Sequence, residues 1–345
     1  MSVKETSKFN IGGWTIRSVA TTATKFVTAM SSGSKYEVRV YDVGRNVKKG
    51  IIHLKDENGN ENFKNINSVA IFYTNDIMKR TYVAAGGSRG TIYVWVLSEG
   101  TTPVKTMNNQ LGGVGRPIRS LMMDNYKLVS LFNNNTAILY NLNVENYKQI
   151  ARREDLAGAK HISMHGRRLV RVNPSGTIEY WFVGRSSSEM NFTRIKSVDS
   201  IAAGANRFVT THNNAIKIWD YNGNLEKEIT NGSNPTDVSM HMEKIVACFG
   251  DTTKVWDDKG NELATLAVTG AKKAAVHGNT IIVIGTDSVH IFACVIATEP
   301  CPSRASEGLR PEEIPLYILK AVTPEVKVHP QYGKLRPEKY AKLKL

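Results

Sequence analysis

The chain has 345 residues, of which 41% are apolar, and it carries 45 Lys or Arg against 31 Asp or Glu, a formal net charge of +14. This length can bury a large core, but no stretch approaches the roughly 18 apolar residues of a membrane-spanning helix, and the N-terminus resembles neither a signal peptide nor a transit peptide. Three cysteines, an odd number in a chain of this length, argue against a disulfide-dense secreted domain and favour reduced thiols and a cytoplasmic location.

A short phrase recurs seven times along the chain: an apolar residue, any residue, an apolar residue and then an aromatic one. The aromatic residues are, in chain order, Tyr41, Trp95, Tyr140, Trp181, Trp219, Trp256 and Phe292. Successive aromatic residues lie 54, 45, 41, 38, 37 and 36 positions apart. A period near 40 residues indicates a stack of like units and not two unrelated domains.

Each unit predicts four strands joined by short turns. A short apolar stretch such as Ile16–Val19 precedes an apolar run such as Lys25–Met30, and turn residues then lead to the aromatic phrase and to a fourth strand such as Glu226–Ile229. The last unit lacks an obvious fourth strand, whereas Lys8–Ile11 precedes the first unit. We therefore predict an all-β, seven-bladed β-propeller over residues 1–296, with the N-terminal strand completing the last blade and removing two open sheet edges.

Two of the phrases, Ile-Lys-Ile-Trp-Asp at 216–220 and Lys-Val-Trp-Asp at 254–257, resemble the signature of WD-repeat proteins, and the likeness covers roughly residues 10–296. The Gly-His dipeptide of that family is absent, and the Asp of its first hairpin turn occurs only as Asp124. We therefore expect blade stability to rest mainly on apolar packing between the sheets and less on the family's buried His-Asp-Ser/Thr-Trp network.

The resemblance implies a non-enzymatic scaffold that mediates protein–protein interactions within a larger assembly, without a cofactor or a small-molecule substrate. A substrate adaptor of a ubiquitin ligase is a further possibility by resemblance, but we do not expect it, because the residues before position 10 leave no room for a recruiting domain.

Residues 297–345 form a separate C-terminal tail that holds most of the eleven prolines. Its last twenty residues are strongly basic, and Tyr332 and Tyr340 are interleaved with the cations. Such a tail suits an acidic partner, either RNA or an acidic protein groove, although a solvated end that keeps the protein soluble has the same composition. The tail cations predicted to bind a partner are Lys334, Arg336, Lys339, Lys342 and Lys344.

A second basic site is predicted where the innermost strands begin. Alignment of these strands places Arg17, Asn67, Arg119, Lys160, Asp199, Thr236 and Lys272 at one equivalent position. We expect Arg17, Arg119, Lys160 and Lys272 to form a cationic mouth of the central channel, unless some of them pair with Asp199, Asp237 or acids of the tail. Together with the net charge, this mouth gives an alternative function: an RNA-contacting subunit or accessory factor of a ribonucleoprotein, for example one associated with the ribosome.

Three segments resemble catalytic or metal-binding motifs, but the secondary structure or spacing around each one does not suit the chemistry. Gly86–Gly90 matches Gly-x-Ser-x-Gly, but that nucleophile needs a strand-to-helix elbow, and here a strand-to-strand turn is predicted. Asp56–Glu61 resembles a calcium loop, but its Gly is fourth where the calcium site requires it sixth. His165, His241 and His277 end equivalent innermost strands, so we expect them to be spread around one rim, too far apart to share a metal. We therefore predict no enzyme, no cofactor and no metal site.

Overall fold

The computed structural model describes residues 2–44, 51–74, 79–108, 110–111, 114–124, 126–142, 149–153, 159–182, 190–191 and 198–295. These residues belong to one compact unit, Met1–Ala297. Residues 297–345, including the five predicted tail cations, lie outside the described residues, so the tail and its boundary stay predictions. Within the described part, no helix is long and apolar enough to cross a bilayer.

The strands follow the repeat units. The N-terminal strand is β1 (Ser2–Asn10). Blade one consists of β2 (Thr15–Thr21), β3 (Lys25–Ser32), β4 (Lys35–Asp42) and β5 (Ile52–His53). Blade two consists of β6 (Ile66–Tyr73), β7 (Thr81–Gly87), β8 (Thr91–Val96) and β9 (Lys105–Asn108), with a single 3-10 turn at Leu97–Glu99. A small hairpin of β10 (Gln110–Leu111) and β11 (Val114–Gly115) follows it.

The remaining blades repeat the pattern. Blade three consists of β12 (Ile118–Asp124), β13 (Lys127–Phe132), β14 (Ala137–Asn141) and β15 (Gln149–Arg153). Blade four consists of β16 (His161–His165), β17 (Arg168–Val172), β18 (Ile178–Phe182) and β19 (Met190–Asn191). Blade five consists of β20 (Ser200–Ala203), β21 (Arg207–His212), β22 (Ala215–Asp220) and β23 (Leu225–Thr230). Blade six consists of β24 (Asp237–His241), β25 (Lys244–Cys248), β26 (Gly250–Asp257) and β27 (Glu262–Ala271). Blade seven contains β28 (Lys273–His277), β29 (Thr280–Ile284) and β30 (Ser288–Val295).

Every blade is an antiparallel four-stranded sheet, and the ring is closed by the N-terminus. Strand β1 pairs with β30 and becomes the outermost strand of blade seven, with Lys8 opposite His290 and Phe9 opposite Val289. The carboxylate of Glu5 lies 2.6 Å from Nδ1 of His290, so a side-chain hydrogen bond also joins the N-terminal strand to the last strand of the ring. The fold is therefore the seven-bladed propeller that the sequence predicts.

The apolar core lies in the seams between neighbouring sheets. Successive side chains of a strand point to opposite faces of its sheet, so each blade packs apolar side chains against both of its neighbours. The described residues accordingly form seven apolar clusters, one in each of the seven seams. The repeated aromatic residue packs against the preceding blade. Trp95, Trp219 and Trp256 are at most 7% exposed, and they belong to the clusters between blades one and two, four and five, and five and six, respectively. The side chain of Trp181 lies outside the described residues.

Hydrogen bonding by the buried tryptophans differs from blade to blade. In blade five, Nε1 of Trp219 donates to Oγ1 of Thr210 at 2.9 Å, and that hydroxyl lies 2.8 Å from Nε2 of His212. In blade two, Nε1 of Trp95 donates instead to the backbone oxygen of Lys55, in the loop that precedes the blade. Blade five thus contains a buried Trp-Thr-His network, although the described seams are filled mainly by apolar side chains.

The loop that resembles a calcium site is a repeated turn. In Asp56–Asn60, the carboxylate accepts the backbone N–H groups of Asn58 and Asn60, at 2.9 and 2.8 Å. The segments Asp220–Asn224 and Asp257–Asn261 form the same turn with the same bonds. The Asp oxygens therefore satisfy turn backbone groups, as a polar loop requires.

Candidate functional site

The central channel is lined by the innermost strands of all seven blades. It encloses a cavity of about 620 Å³. Its wall is held together by serines: Oγ of Ser18, Ser68, Ser163 and Ser239 each accepts a backbone N–H from the innermost strand of the next blade, at 2.8 to 3.2 Å. These bonds join neighbouring sheets where apolar packing alone would let them slide. Serines at 18, 68, 120, 163, 200 and 239 are a signal in the sequence that the repeat analysis missed.

The predicted equivalence at the start of the innermost strands holds in four blades. The backbone N–H groups of Lys160, Asp199, Thr236 and Lys272 all donate to the carbonyl at the end of the second strand of their blade, at 2.7 to 2.9 Å. In blades one, two and three the corresponding register is interrupted by a β-bulge, at the positions of Arg17, Asn67 and Arg119. A bulge adds one residue and re-aims the side chains around it.

The structure brings only two of the four predicted cations to the channel wall. Arg119 and Lys160 line the cavity, and so does Lys273, which the sequence analysis did not select. Lys272 is exposed and lies outside the lining, one residue before Lys273. Arg17 is exposed as well, and its guanidinium lies 5.5 Å from the ring centre of Tyr36. The role of these residues in binding a partner or RNA stays a prediction.

Arg119 and Lys160 also connect the blades. The guanidinium of Arg119, in blade three, donates to Oδ1 of Asn135 and to the backbone oxygens of Ala159 and Lys160, which precede blade four. The ammonium of Lys160 donates in turn to the backbone oxygen of Val198, which precedes blade five, at 2.9 Å. Partial burial against this backbone lowers the pKa of Arg119. Both cations therefore have positions fixed by hydrogen bonds.

Asp199 and Asp237, the acids predicted as possible partners of these cations, accept hydrogen bonds from backbone N–H groups instead. Asp199 accepts the N–H of Asn213 at 3.0 Å, and Asp237 accepts the N–H of Ala274 at 2.9 Å. Burial raises the pKa of Asp237, which Lys273 partly offsets. Among the ion pairs that the described residues form, none joins a predicted mouth cation to Asp199 or Asp237.

At the opposite mouth three histidines meet, which corrects the expectation that they are spread around the rim. The ring centres of His165 and His241 are 5.1 Å apart, and those of His241 and His277 are 3.9 Å apart. Gly204 occupies the equivalent position in blade five, so no side chain of that blade separates His165 from His241. The prediction of separate turn residues was wrong because it ignored how closely the innermost strands approach across the channel.

The histidine cluster is held mainly as neutral rings. Nδ1 of His241 accepts the N–H of Gly278 at 3.0 Å, and His165 lies 3.8 Å from the carboxylate of Asp124. Burial, followed by the neighbouring His277 and His165, lowers the pKa of His241 to about 3. Burial also lowers the pKa values of His165 and His277. Among the described residues, no three His, Cys, Asp or Glu side chains are placed to hold one metal ion.

The Gly-x-Ser-x-Gly segment has the context that the sequence predicts. It joins β7 to β8, and the N–H of Gly90 donates to the carbonyl of Gly87 within the turn. A strand-to-helix elbow is not formed at this place. The two described cysteines, Cys248 and Cys294, are buried free thiols, and Cys301 lies outside the described residues.

Comparison with known proteins identifies the fold. No model of a protein family matches the chain, and no curated protein matches it. Among solved structures, the chain is similar to the WD40 β-propeller domain of Doa1, at 17% identity and a TM-score of 0.60, covering 85% of this chain and 97% of that one. It is also similar to a chain of the mitotic checkpoint complex, at 14% identity and a TM-score of 0.64, covering 85% and 95%. A third similar structure is the computationally designed protein Ika8, at 14% identity and a TM-score of 0.57, covering 82% and 97%. At these identities the likeness shows the fold alone: a WD40-type β-propeller.

Proposed function

We propose that the protein is a non-enzymatic scaffold that binds other proteins within a larger assembly, in the cytoplasm. The observation that carries this proposal is the closed ring of seven blades, because a propeller of the WD40 type is commonly a protein-interaction scaffold. The serine bonds along the channel and the pairing of β1 with β30 fix the blades relative to one another. A rigid surface loses little entropy when a partner binds, which favours stable complexes.

A second function is favoured by charge. The protein has a net charge of +14, and Arg119, Lys160 and Lys273 line one mouth of the channel. Cations of this kind hold phosphates through long-range attraction and direct hydrogen bonds. The alternative is therefore an RNA-contacting subunit or accessory factor of a ribonucleoprotein, in which the tail cations assist the mouth.

The test that separates these functions is sedimentation of the native protein from cytoplasmic extract, with and without ribonuclease, at low and moderate salt. A heavy position that ribonuclease leaves unchanged supports the protein scaffold. A shift from a heavy to a light fraction after ribonuclease supports the ribonucleoprotein. A light position under every condition contradicts both, because neither function is compatible with a free monomer.

A further inference from the structure

Charge is divided unevenly over the face of the propeller that carries the predicted mouth. On this face the fourth strand of one blade leads to the first strand of the next, and the second strand turns into the third. In blades two to four, these connections and the strand ends beside them carry the exposed cations Lys64, Arg89, Arg116, Arg119 and Lys160, and the long connection before blade two also carries Asp56, Glu57 and Glu61. In blades five and six the corresponding charged residues include Asp199, Asp237 and Asp251. Among the described residues, this face is therefore cationic along blades two to four and carries acids along blades five and six, whereas Arg17, Lys272 and Lys273 add cations where blades one and seven begin.

The first two cations are neighbours across the seam between blades one and two. The backbone oxygen of Asn65, next to Lys64, accepts the N–H of Ser88 at 3.0 Å, and Ser88 precedes Arg89. A Cβ added at Gly87 would lie 3.3 Å from the backbone oxygen of Lys64. The turn that carries Arg89 is thus packed directly on the segment that carries Lys64.

The next cation continues the line into blade three. A Cβ added at Gly115 would overlap the backbone oxygen of Arg89, so only glycine permits this close approach. Arg116 follows Gly115 and therefore lies beside Arg89. The carbonyl of Pro117, after Arg116, accepts the N–H of Asn133, which fixes this segment on the neighbouring turn of blade three.

The last two cations extend the line to blade four. Arg119 donates to the carbonyls of Ala159 and Lys160, and Lys160 donates to the carbonyl of Val198. Each cation is thus in backbone contact with the segment that carries the next. We call the continuous row of Lys64, Arg89, Arg116, Arg119 and Lys160 the basic ridge.

The basic ridge retains its charge in the structure. Elsewhere cations are neutralised locally: Arg207 pairs with Glu226 and Asp258, and Arg171 pairs with Glu179. None of the ion pairs between described residues includes a cation of the ridge. The acids of blades five and six are engaged with backbone, as in the bond from Gly270 to Asp251 at 2.9 Å. Glu154 and Asp155 lie outside the described residues.

The surroundings of the ridge favour a protein over a nucleic acid. Single-stranded nucleic acids are held by aromatic side chains on which bases stack, as well as by cations. Among the described residues of the connections that carry the ridge, the one aromatic side chain, Phe63, is buried between blades one and two, so these connections offer no exposed ring on which a base could stack. Arg contributes three of the five ridge cations, and its planar fork matches a carboxylate with two parallel hydrogen bonds.

We propose that the basic ridge binds an extended, acidic segment of a partner protein, rich in Asp and Glu, that runs across blades two to four. This inference rests on the proposed scaffold function and adds the place and the chemistry of the partner. The segment would follow the ridge and end where the acids of blades five and six repel it. Electrostatic complementarity of this kind fixes orientation and raises the association rate.

The test uses the full chain and two labelled probes of equal charge and similar length, an Asp/Glu-rich peptide and an oligouridylate, with binding measured by fluorescence anisotropy. The variant is Arg89→Glu with Arg116→Glu, since neither side chain takes part in the hydrogen bonds or ion pairs that join the blades in the described part of the chain. The control is Lys227→Glu with Lys259→Glu, two exposed cations of blades five and six that lie away from the ridge and change the net charge equally. Thermal unfolding of both variants verifies the fold.

We expect the ridge variant to bind the peptide about tenfold more weakly, the control to match the wild type, and added salt to weaken binding. Tighter binding of the oligouridylate, equal losses in both variants, or no peptide binding by the wild type overturns the proposal. Sedimentation distinguishes this failure from that of the scaffold: if the ridge variant stays heavy and resistant to ribonuclease, the scaffold stands and the ridge is not its binding surface. A wild type that sediments as light material removes the scaffold itself.

Discussion

Replacement of Trp95 by Ala tests how much one seam contributes to stability. Trp95 is fully buried between blades one and two. Its ring centre lies 5.8 Å from those of Phe63, edge to face, and Tyr93, nearly parallel. The indole N–H donates to the carbonyl of Lys55 at 3.0 Å. The substitution therefore removes a large ring, two aromatic contacts and one hydrogen bond.

The expected cost follows from these contacts. Truncation of a buried Trp to Ala costs about 3–5 kcal/mol, because apolar burial is lost and a cavity remains. The carbonyl of Lys55 is left without its donor, but Lys55 is only partly buried, so water can replace the bond and the added cost is near the low end of about 1–3 kcal/mol. Trp95→Phe keeps most of the apolar contact and is expected to cost less than half as much.

Equilibrium unfolding in urea, followed by circular dichroism, measures both effects. Leu225→Ala is the control, because Leu225 is 45% exposed and its truncation is expected to change stability by less than about 0.5 kcal/mol. A loss below about 2 kcal/mol for Trp95→Ala, or equal losses for the Ala and Phe variants, would refute the argument that ring burial in the seam is the main contribution.

Three further predictions concern the network, the histidine cluster and the closure of the ring. Thr210→Val removes the hydroxyl that Trp219 donates to, and we expect a loss of about 1–2 kcal/mol in urea unfolding. Because the pKa of His241 is lowered in the folded state, the unfolded chain binds a proton more readily. The contribution of the neutral ring to the free energy of unfolding is therefore fully present above about pH 6.5 and is lost as the pH decreases toward about 3. At pH 5 this loss is about 1 kcal/mol, after discounting for the partial exposure of the ring, and His241→Asn, whose amide oxygen can still accept the N–H of Gly278, is expected to flatten the pH dependence of thermal unfolding. Deletion of residues 1–10 leaves β30 as an open edge, and we expect a lower unfolding temperature and self-association in size-exclusion chromatography.

Much of the fold could be predicted because each unit repeats the same local sequence pattern. Alternation of apolar and polar residues, turn residues between runs and an aromatic residue at a fixed place specify strands and turns over a few residues. Seven repetitions make the ring evident even where a single unit is ambiguous. The strand at Ser2–Asn10 is longer than the segment Lys8–Ile11 that the apolar pattern marks, since most of its residues are exposed at the sheet edge and carry no apolar signal.

The candidate site was harder to predict, because it depends on how the blades meet. A β-bulge at Arg17 or Arg119 is set by pairing with the second strand and has no mark in the local sequence. Lys160 and Lys272 occupy equivalent positions by their backbone hydrogen bonds, yet of these two Lys160 lines the channel and Lys272 does not, so the position within a repeat does not by itself decide which side chain reaches the channel. Distances across the channel, which bring His165 and His241 together, likewise follow from the ring and not from one repeat.

The cations at the mouth link the stability of the ring to its binding surface. Arg119 and Lys160 each use hydrogen bonds to carbonyls of the next blade, so their charges are held in place before a partner arrives. A preorganised cation loses less side-chain entropy on binding than a free one, which strengthens a given ionic contact. The same bonds mean that substitution at Arg119 would disturb both the seam and the surface. Arg89 and Arg116, which extend the ridge away from the seam bonds, are therefore the positions at which binding can be measured separately from folding.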